Sequence, residues 1–147
     1  MYKNILLPTD GSAPAEKAVL AGIKLAAAVG ARVTGLYVAP PPTPLVYEKL
    51  MPKGYLTTEG HAALIEKTAK RIMSVLEKAA DAAGVKHESL VVTGDFPADA
   101  ILQAATSRKC DLIIMAPQGK GGLSKLLLGS QTQKVVGLAK IPVLVHR

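Results

Sequence analysis

Residues 111–147, DLIIMAPQGKGGLSKLLLGSQTQKVVGLAKIPVLVHR, constrain the fold more than any other stretch of the chain. Two short apolar runs, Leu112 to Met115 and Ile141 to Val145, the second opened by Pro142, read as buried strands. Between them lies a glycine-punctuated basic loop, and after Leu126, Leu127 and Leu128 come Gly129-Ser130 and the polar Gln131, Thr132 and Gln133. That order predicts a last helix with Ser130 as N-cap, running to about Lys140. The first backbone N–H groups of such a helix have no partner within it. They point at whatever lies above the sheet, which is the grammar of an anion site.

The preceding residues repeat the pattern of strand, turn and helix. Asn4 to Pro8 is a predicted buried strand, and the turn Thr9-Asp10-Gly11-Ser12 puts Asp10 at its carboxyl end. Pro14 suits a first helical turn, Glu16 the positive helix end and Gly30 its stop. Ala15, Ala18, Val19, Gly22, Leu25 and Ala26 form its predicted apolar face. Arg32 to Val38 is a second strand. Residues 39–56 hold prolines at 40, 41, 42, 44 and 52 and read as a long loop over the carboxyl edge. A long helix from about Thr57 to Ala83 carries a stripe of Leu64, Thr68, Ile72, Val75, Leu76, Ala79 and Ala83, and Gly84 ends it. His87 to Thr93 is an outer strand, and Gly94-Asp95-Phe96-Pro97 turns into a short helix around Ala98 to Thr106, with Asp95 as its expected cap.

Five strands alternating with helices imply right-handed crossovers and a parallel sheet covered on both faces, an α/β doubly wound fold. At 147 residues the chain fits one domain. Hydrophobic residues at 49% with aromatics at 3% describe a core of Leu, Ile, Val and Ala, which suits that architecture. No internal repeat or low-complexity tract appears.

Gly119, nine residues, then Gly129-Ser130, placed after the apolar run ending in Met115, resembles the nucleotide-binding signature of the universal stress protein family, G-x2-G-x9-G-[S/T]. Ala116 stands where that signature has its first glycine. ILLPTDGS, GDFPADAIL and IPVLV are also similar to the family, so the resemblance covers essentially the whole chain. It implies a five-stranded Rossmann-like sheet of the adenine-nucleotide-hydrolase type, in the order 3-2-1-4-5. In that order the winding reverses between strands one and four, and ligands of open sheets bind outside the carboxyl ends at such a point. The resemblance further implies ATP, with Mg2+ at its phosphates. Pro8, Thr9 and Asp10 would surround base and ribose, Val38 the adenine, and Met115 and Ala116 the ribose. Gly119 with Gly129, Ser130, Gln131 and Thr132 would meet the phosphates. If the backbone at Ala116 required positive φ, the methyl group would cost about 1 kcal/mol; otherwise only a methyl is added.

The net charge of +7 is spread along the sequence without an aromatic RNA-binding motif, so nucleic acid is not an expected partner. Lys120, Lys125, Lys134, Lys140 and Arg147 against Asp111 suit a small polyanion instead. Lys120 lacks the upstream glycine and following hydroxyl of a Walker loop, and strand one is not followed by G-x-G-x-x-G. His61, His87 and His146 lack metal-ligand spacing and are expected as solvated or edge side chains. Cys110, the single cysteine, is expected as a small buried thiol. Efficient catalysis is not expected; slow hydrolysis or self-phosphorylation, at Ser124 or Ser130, is the most the residues suggest. Without a secretory pattern or an apolar span of about 20 residues, a cytoplasmic location is expected. The apolar last strand suggests a homodimer. The alternative is a dimeric interaction module of the same fold that binds no nucleotide.

Overall fold

A computed structural model describes residues 1–41, 58–119 and 127–147. The elements run β1 (Asn4–Pro8), α1 (Ala13–Val29), β2 (Arg32–Ala39), α2 (Thr58–Ala82), β3 (His87–Thr93), α3 (Pro97–Ser107), β4 (Leu112–Met115), α4 (Ser130–Leu138) and β5 (Val143–Val145). The strands form one parallel sheet of order β3-β2-β1-β4-β5, as the family resemblance implied.

Strand alternation sorts the core into two layers. Ile5, Leu7, Val33, Leu112 and Ile114 meet Val19, Ile23 and Leu76 of α1 and α2, while Leu6, Leu36, Ile113 and Met115 meet Ile101 of α3 and Val135 of α4. Each such side chain contributes on the order of 1.5–3 kcal/mol. Close approach is set by glycine at two places. A Cβ on Gly22 of α1 would overlap the Leu7 side chain, and one on Gly35 of β2 would lie 2.6 Å from Leu76 Cδ1. Glycine within a helix costs roughly 1 kcal/mol against alanine, whereas overpacking costs about 1–3, so glycine wins at residue 22.

Several expectations shift. On α1 the buried face includes Ile23, and Leu25 packs only at its margin. The buried stripe of α2 is Ala69, Ile72, Met73, Leu76 and Ala80, rotated away from Thr68, Val75 and Ala79, because the sheet and α1 meet the helix from a direction that periodicity alone does not fix. Ala83 is exposed and lies just past the helix, ahead of Gly84 at φ 69°. The last helix is capped by Gly129, with Ser130 its first residue, and ends at Leu138. His61 is buried, with Nε2 3.1 Å from the Pro40 carbonyl, rather than solvated. His87 does sit on an edge strand, its Nε2 2.8 Å from Asp81. Cys110 is buried, which pushes its thiol pKa up. From residue 42 onward the proline-rich segment lies outside the described residues.

Asp95 does not cap α3. Phe96 occupies the cap position without a side-chain bond, and the Ala98 N–H donates instead to Gln131 Oε1 of α4, at 3.0 Å. Gln131→Ala is expected to destabilise the fold by about 0.5–2 kcal/mol, as loss of a cap does, with Gln131→Glu retaining most of it; urea melts distinguish the two. Gly35→Ala is expected to cost about 1–3 kcal/mol. Combined with Leu76→Ala, the loss should fall short of the sum of the single losses, a coupling that a double-mutant cycle reads.

Candidate functional site

The turn after β1 is fixed by its own side chains. Asp10 Oδ1 accepts the Ser12 N–H at 2.9 Å, Thr9 Oγ1 accepts the Gly11 N–H at 3.1 Å, and Ser12 Oγ accepts the Ala15 N–H at 3.4 Å as the cap of α1. Gly11 stands at φ 80° against Ile72, where a Cβ would come within 2.8 Å of Cγ1. Such a position favours glycine twice over. The turn holds the Asp10 carboxylate above the carboxyl end of β1. Behind it, on the other sheet face, the buried Tyr37 hydroxyl has its pKa raised by burial, with Arg71 lowering it and Asp10 raising it.

Across the winding reversal, the chain leaving β4 meets that turn. A Cβ on Gly119 would fall on Asp10 Oδ2, so only glycine brings the loop this close to the carboxylate. The Gly129 N–H donates to the Pro117 carbonyl at 2.7 Å, and a Cβ there would lie 3.3 Å from Gln118 Cα. Thr132, buried in α4, donates its hydroxyl to the Ala116 carbonyl at 3.0 Å. Lys109 is the one non-glycine residue at positive φ among the described residues, so Ala116 carries no left-handed strain.

These segments enclose a cavity of about 350 Å³. Pro8, Thr9, Asp10, Val38, Met115, Ala116, Gly119, Gly129, Ser130, Gln131 and Thr132 all line it. Ala15, Leu36, Pro97, Ile101 and Gln118 complete the wall. Sequence reasoning missed these five. Leu36 and Ile101 were legible as apolar strand and helix residues, but not which wall they would build. Gln118 had only its place beside Gly119 as a signal.

The helix expected to present an anion site does open on this cavity. Gly129 provides no side-chain cap, and Gln133 is the first residue whose N–H bonds back to Gly129. The N–H groups of Ser130, Gln131 and Thr132 therefore precede the helical ladder. Two side chains expected beside them are engaged elsewhere, Gln131 at Ala98 and Thr132 at Ala116. Lys120, Lys125 and Ser124 lie outside the described residues. Of the remaining expected cations, Lys134 sits on α4 with Nζ 5.9 Å from the Phe96 ring centroid, whereas Lys140 stands before β5, at the opposite edge of the sheet.

Unequal strand lengths give the cavity its polar lip. β1 ends at Pro8 opposite Leu36, while β2 continues to Ala39. Along β2 the main chain alternates sides: Val33 bonds toward β3 through the Lys86 carbonyl, and Leu36 toward β1 through the Thr9 N–H, each at 2.9 Å. Val38 shares the parity of Leu36, so its N–H and C=O face the side on which β1 has already ended.

The chain matches the model of the universal stress protein family over residues 1–147. A universal stress protein of Thermus aquaticus is 37% identical over 147 residues, covering 100% of both chains. Among solved structures, the universal stress protein UspA from Lactobacillus plantarum is 25% identical with a TM-score of 0.79, covering 99% of this chain and 98% of that one. A universal stress protein solved in complex with cAMP is 26% identical with a TM-score of 0.68, over 99% of this chain and 97% of that one. Full-length agreement in sequence and in strand order makes this chain a member of the universal stress protein family.

Proposed function

We propose that this protein binds an adenine nucleotide, ATP, in the cleft between β1 and β4, and acts as a regulatory stress-response protein with at most slow hydrolysis or self-phosphorylation. The observation that carries this reading is the start of α4, which no side chain caps, opening onto a cavity whose approach is kept clear by Gly119 and Gly129. Phosphates take their stabilisation there from the N–H groups of Ser130, Gln131 and Thr132 and from the helix dipole. Asp10, with one oxygen held by Ser12 and the other against Gly119, is placed to accept ribose hydroxyls. Leu36, Val38, Pro97 and Ile101 offer an apolar bed for the base. The Val38 N–H and C=O complement N1 and the N6 amino group of adenine, and oppose the reversed pattern of guanine. The relative solved with cAMP supports an adenine-bearing ligand.

Ala116, in place of the signature's first glycine, is compatible with this reading, since its backbone is unstrained and its carbonyl is held by Thr132. Among the described residues no cluster of three metal-ligating side chains occurs, so Mg2+ would be held chiefly through the phosphates. Freshly purified protein, denatured and run on an anion-exchange column, is expected to release adenine nucleotide. The emptied protein should titrate with ATP at micromolar Kd or tighter, and with GTP at least about tenfold more weakly. Gly129→Val should cost about 3 kcal/mol of binding, over a hundredfold in Kd, while keeping a cooperative melt. An empty protein indifferent to millimolar ATP would overturn the reading.

A second reading, a dimerising module that uses its last strand, is favoured by the exposed apolar side chains Val136, Leu138 and Leu144 beside the β5 edge. Sedimentation should give a dimer for the natural sequence and a monomer for Leu144→Asp.

A further inference from the structure

The chain's 18 basic residues look scattered in sequence, but the fold gathers a third of them into a row. In a parallel sheet all strands start at one edge, and here a basic residue stands at or just before every start. Across the sheet these are Lys86 at β3, Arg32 at β2, Lys3 at β1, Arg108 and Lys109 ahead of β4, and Lys140 ahead of β5. All six are exposed. The ladder fixes their spacing: Arg32 N–H donates to the Lys3 carbonyl and Val33 N–H to the Lys86 carbonyl, both at 2.9 Å. With strands about 4.8 Å apart, the row spans roughly 19 Å. Its base is rigid, since buried Asn4 accepts the Thr34 hydroxyl and donates to the Arg108 carbonyl, each at 3.0 Å.

Acidic side chains at this edge already have partners. Asp111 accepts the backbone N–H groups of Lys3 and Asn4 at 2.8 and 3.1 Å, Asp81 meets His87, and Glu88 reaches Arg108 at 3.5 Å. Among the described residues, Lys3, Arg32, Lys86, Lys109 and Lys140 form no ion pair. Helix dipoles do not account for the row. Among the described residues, all four helices end here without a basic residue in the last turn, and of the row only Arg108, the C-cap of α3, stands at a helix end, the dipole effect fading beyond it.

We propose that the amino-terminal edge of the sheet is a docking surface for the phosphate backbone of duplex nucleic acid, on the side of the protein opposite the cleft. A duplex carries one phosphate charge per about 1.7 Å of axis over its two strands, so a stretch of about 19 Å holds about eleven, of which the half or so on the near side are close in number to the cations. A narrow band of cations along one sheet edge, reaching to both faces of the sheet, fits the phosphates of a duplex better than a plane of lipid headgroups. Among the described residues the only Tyr or Phe near the row, Tyr2, packs against the core and offers no platform for stacking unpaired bases. Binding is therefore independent of base sequence. The sequence, with its charge spread along the chain, does not lead one to expect nucleic acid; the fold gathers that charge at one edge.

The test is fluorescence anisotropy of a labelled duplex of about 25 base pairs, titrated with the full chain at several salt concentrations between about 50 and 200 mM. The expected slope of log K against log salt is about −4 to −5, from five unpaired cations. Lys86→Glu with Lys140→Glu, at opposite ends of the row, should weaken binding more than tenfold and flatten the slope by about 2. Lys67→Glu with Lys78→Glu, exposed on α2, carries the same charge change and should leave the slope intact. Gly129→Val should also bind the duplex normally, which separates this surface from the cleft. Absence of binding at low salt, or equal losses in both charge-reversed pairs, would overturn the proposal. So would capture by phosphatidylserine vesicles without duplex binding, which would assign the row to lipid.

Discussion

The central position of β1 is the constraint from which the rest of the structure follows. Its five residues are buried, with β2 on one side and β4 on the other. The chain winds outward through β2 and β3, and then must return across the sheet to place β4. That return parts the connections after β1 and β4 and leaves a gap at their carboxyl ends. The turn holding Asp10 and the loop holding Gly119 face each other across that gap, beside the start of α4. The layers behind it are thin: glycines at 22 and 35 let Leu7 and Leu76 press directly onto neighbouring backbone.

Much of this was legible in the sequence, for reasons that can be named. Fully buried parallel strands make uninterrupted apolar runs, so Asn4 to Pro8 and Leu112 to Met115 announced themselves and their ends. Glycine where the chain approaches itself most closely marked the loop at 119 and the start of α4. What stayed illegible depended on the angle at which elements meet. The stripe of α2 was misjudged because apolar and small residues occur on more than one face, and contact with α1 and the sheet decides among them. The cap of α3 was misassigned to Asp95 because its acceptor, Gln131, lies 33 residues away. No local pattern reaches so far.

The same distance effect applies to charge. A linear tally describes Lys3, Arg32, Lys86, Lys109 and Lys140 as isolated residues, each following a helix or the amino terminus. Parallel topology gives them a common edge, since every crossover returns the chain to the same side before a new strand begins. The two ends of the sheet therefore differ in chemistry. One end carries the cleft with its glycines, main-chain donors and the Asp10 carboxylate, the other flexible cations on a rigid base.

The early end of β1 beside the longer β2 has an evolutionary consequence. The donor and acceptor at Val38 belong to the peptide backbone, so exchanging that side chain alters the shape of the wall but not its hydrogen-bonding pattern. If this edge reads a base, as proposed, drift at this codon, short of a change to proline, would leave the preference untouched. Only an insertion or deletion that changes where β1 stops could rewrite it, and that would also shift the Asp10 turn. On that reading, base preference and strand length would be inherited together, as one trait.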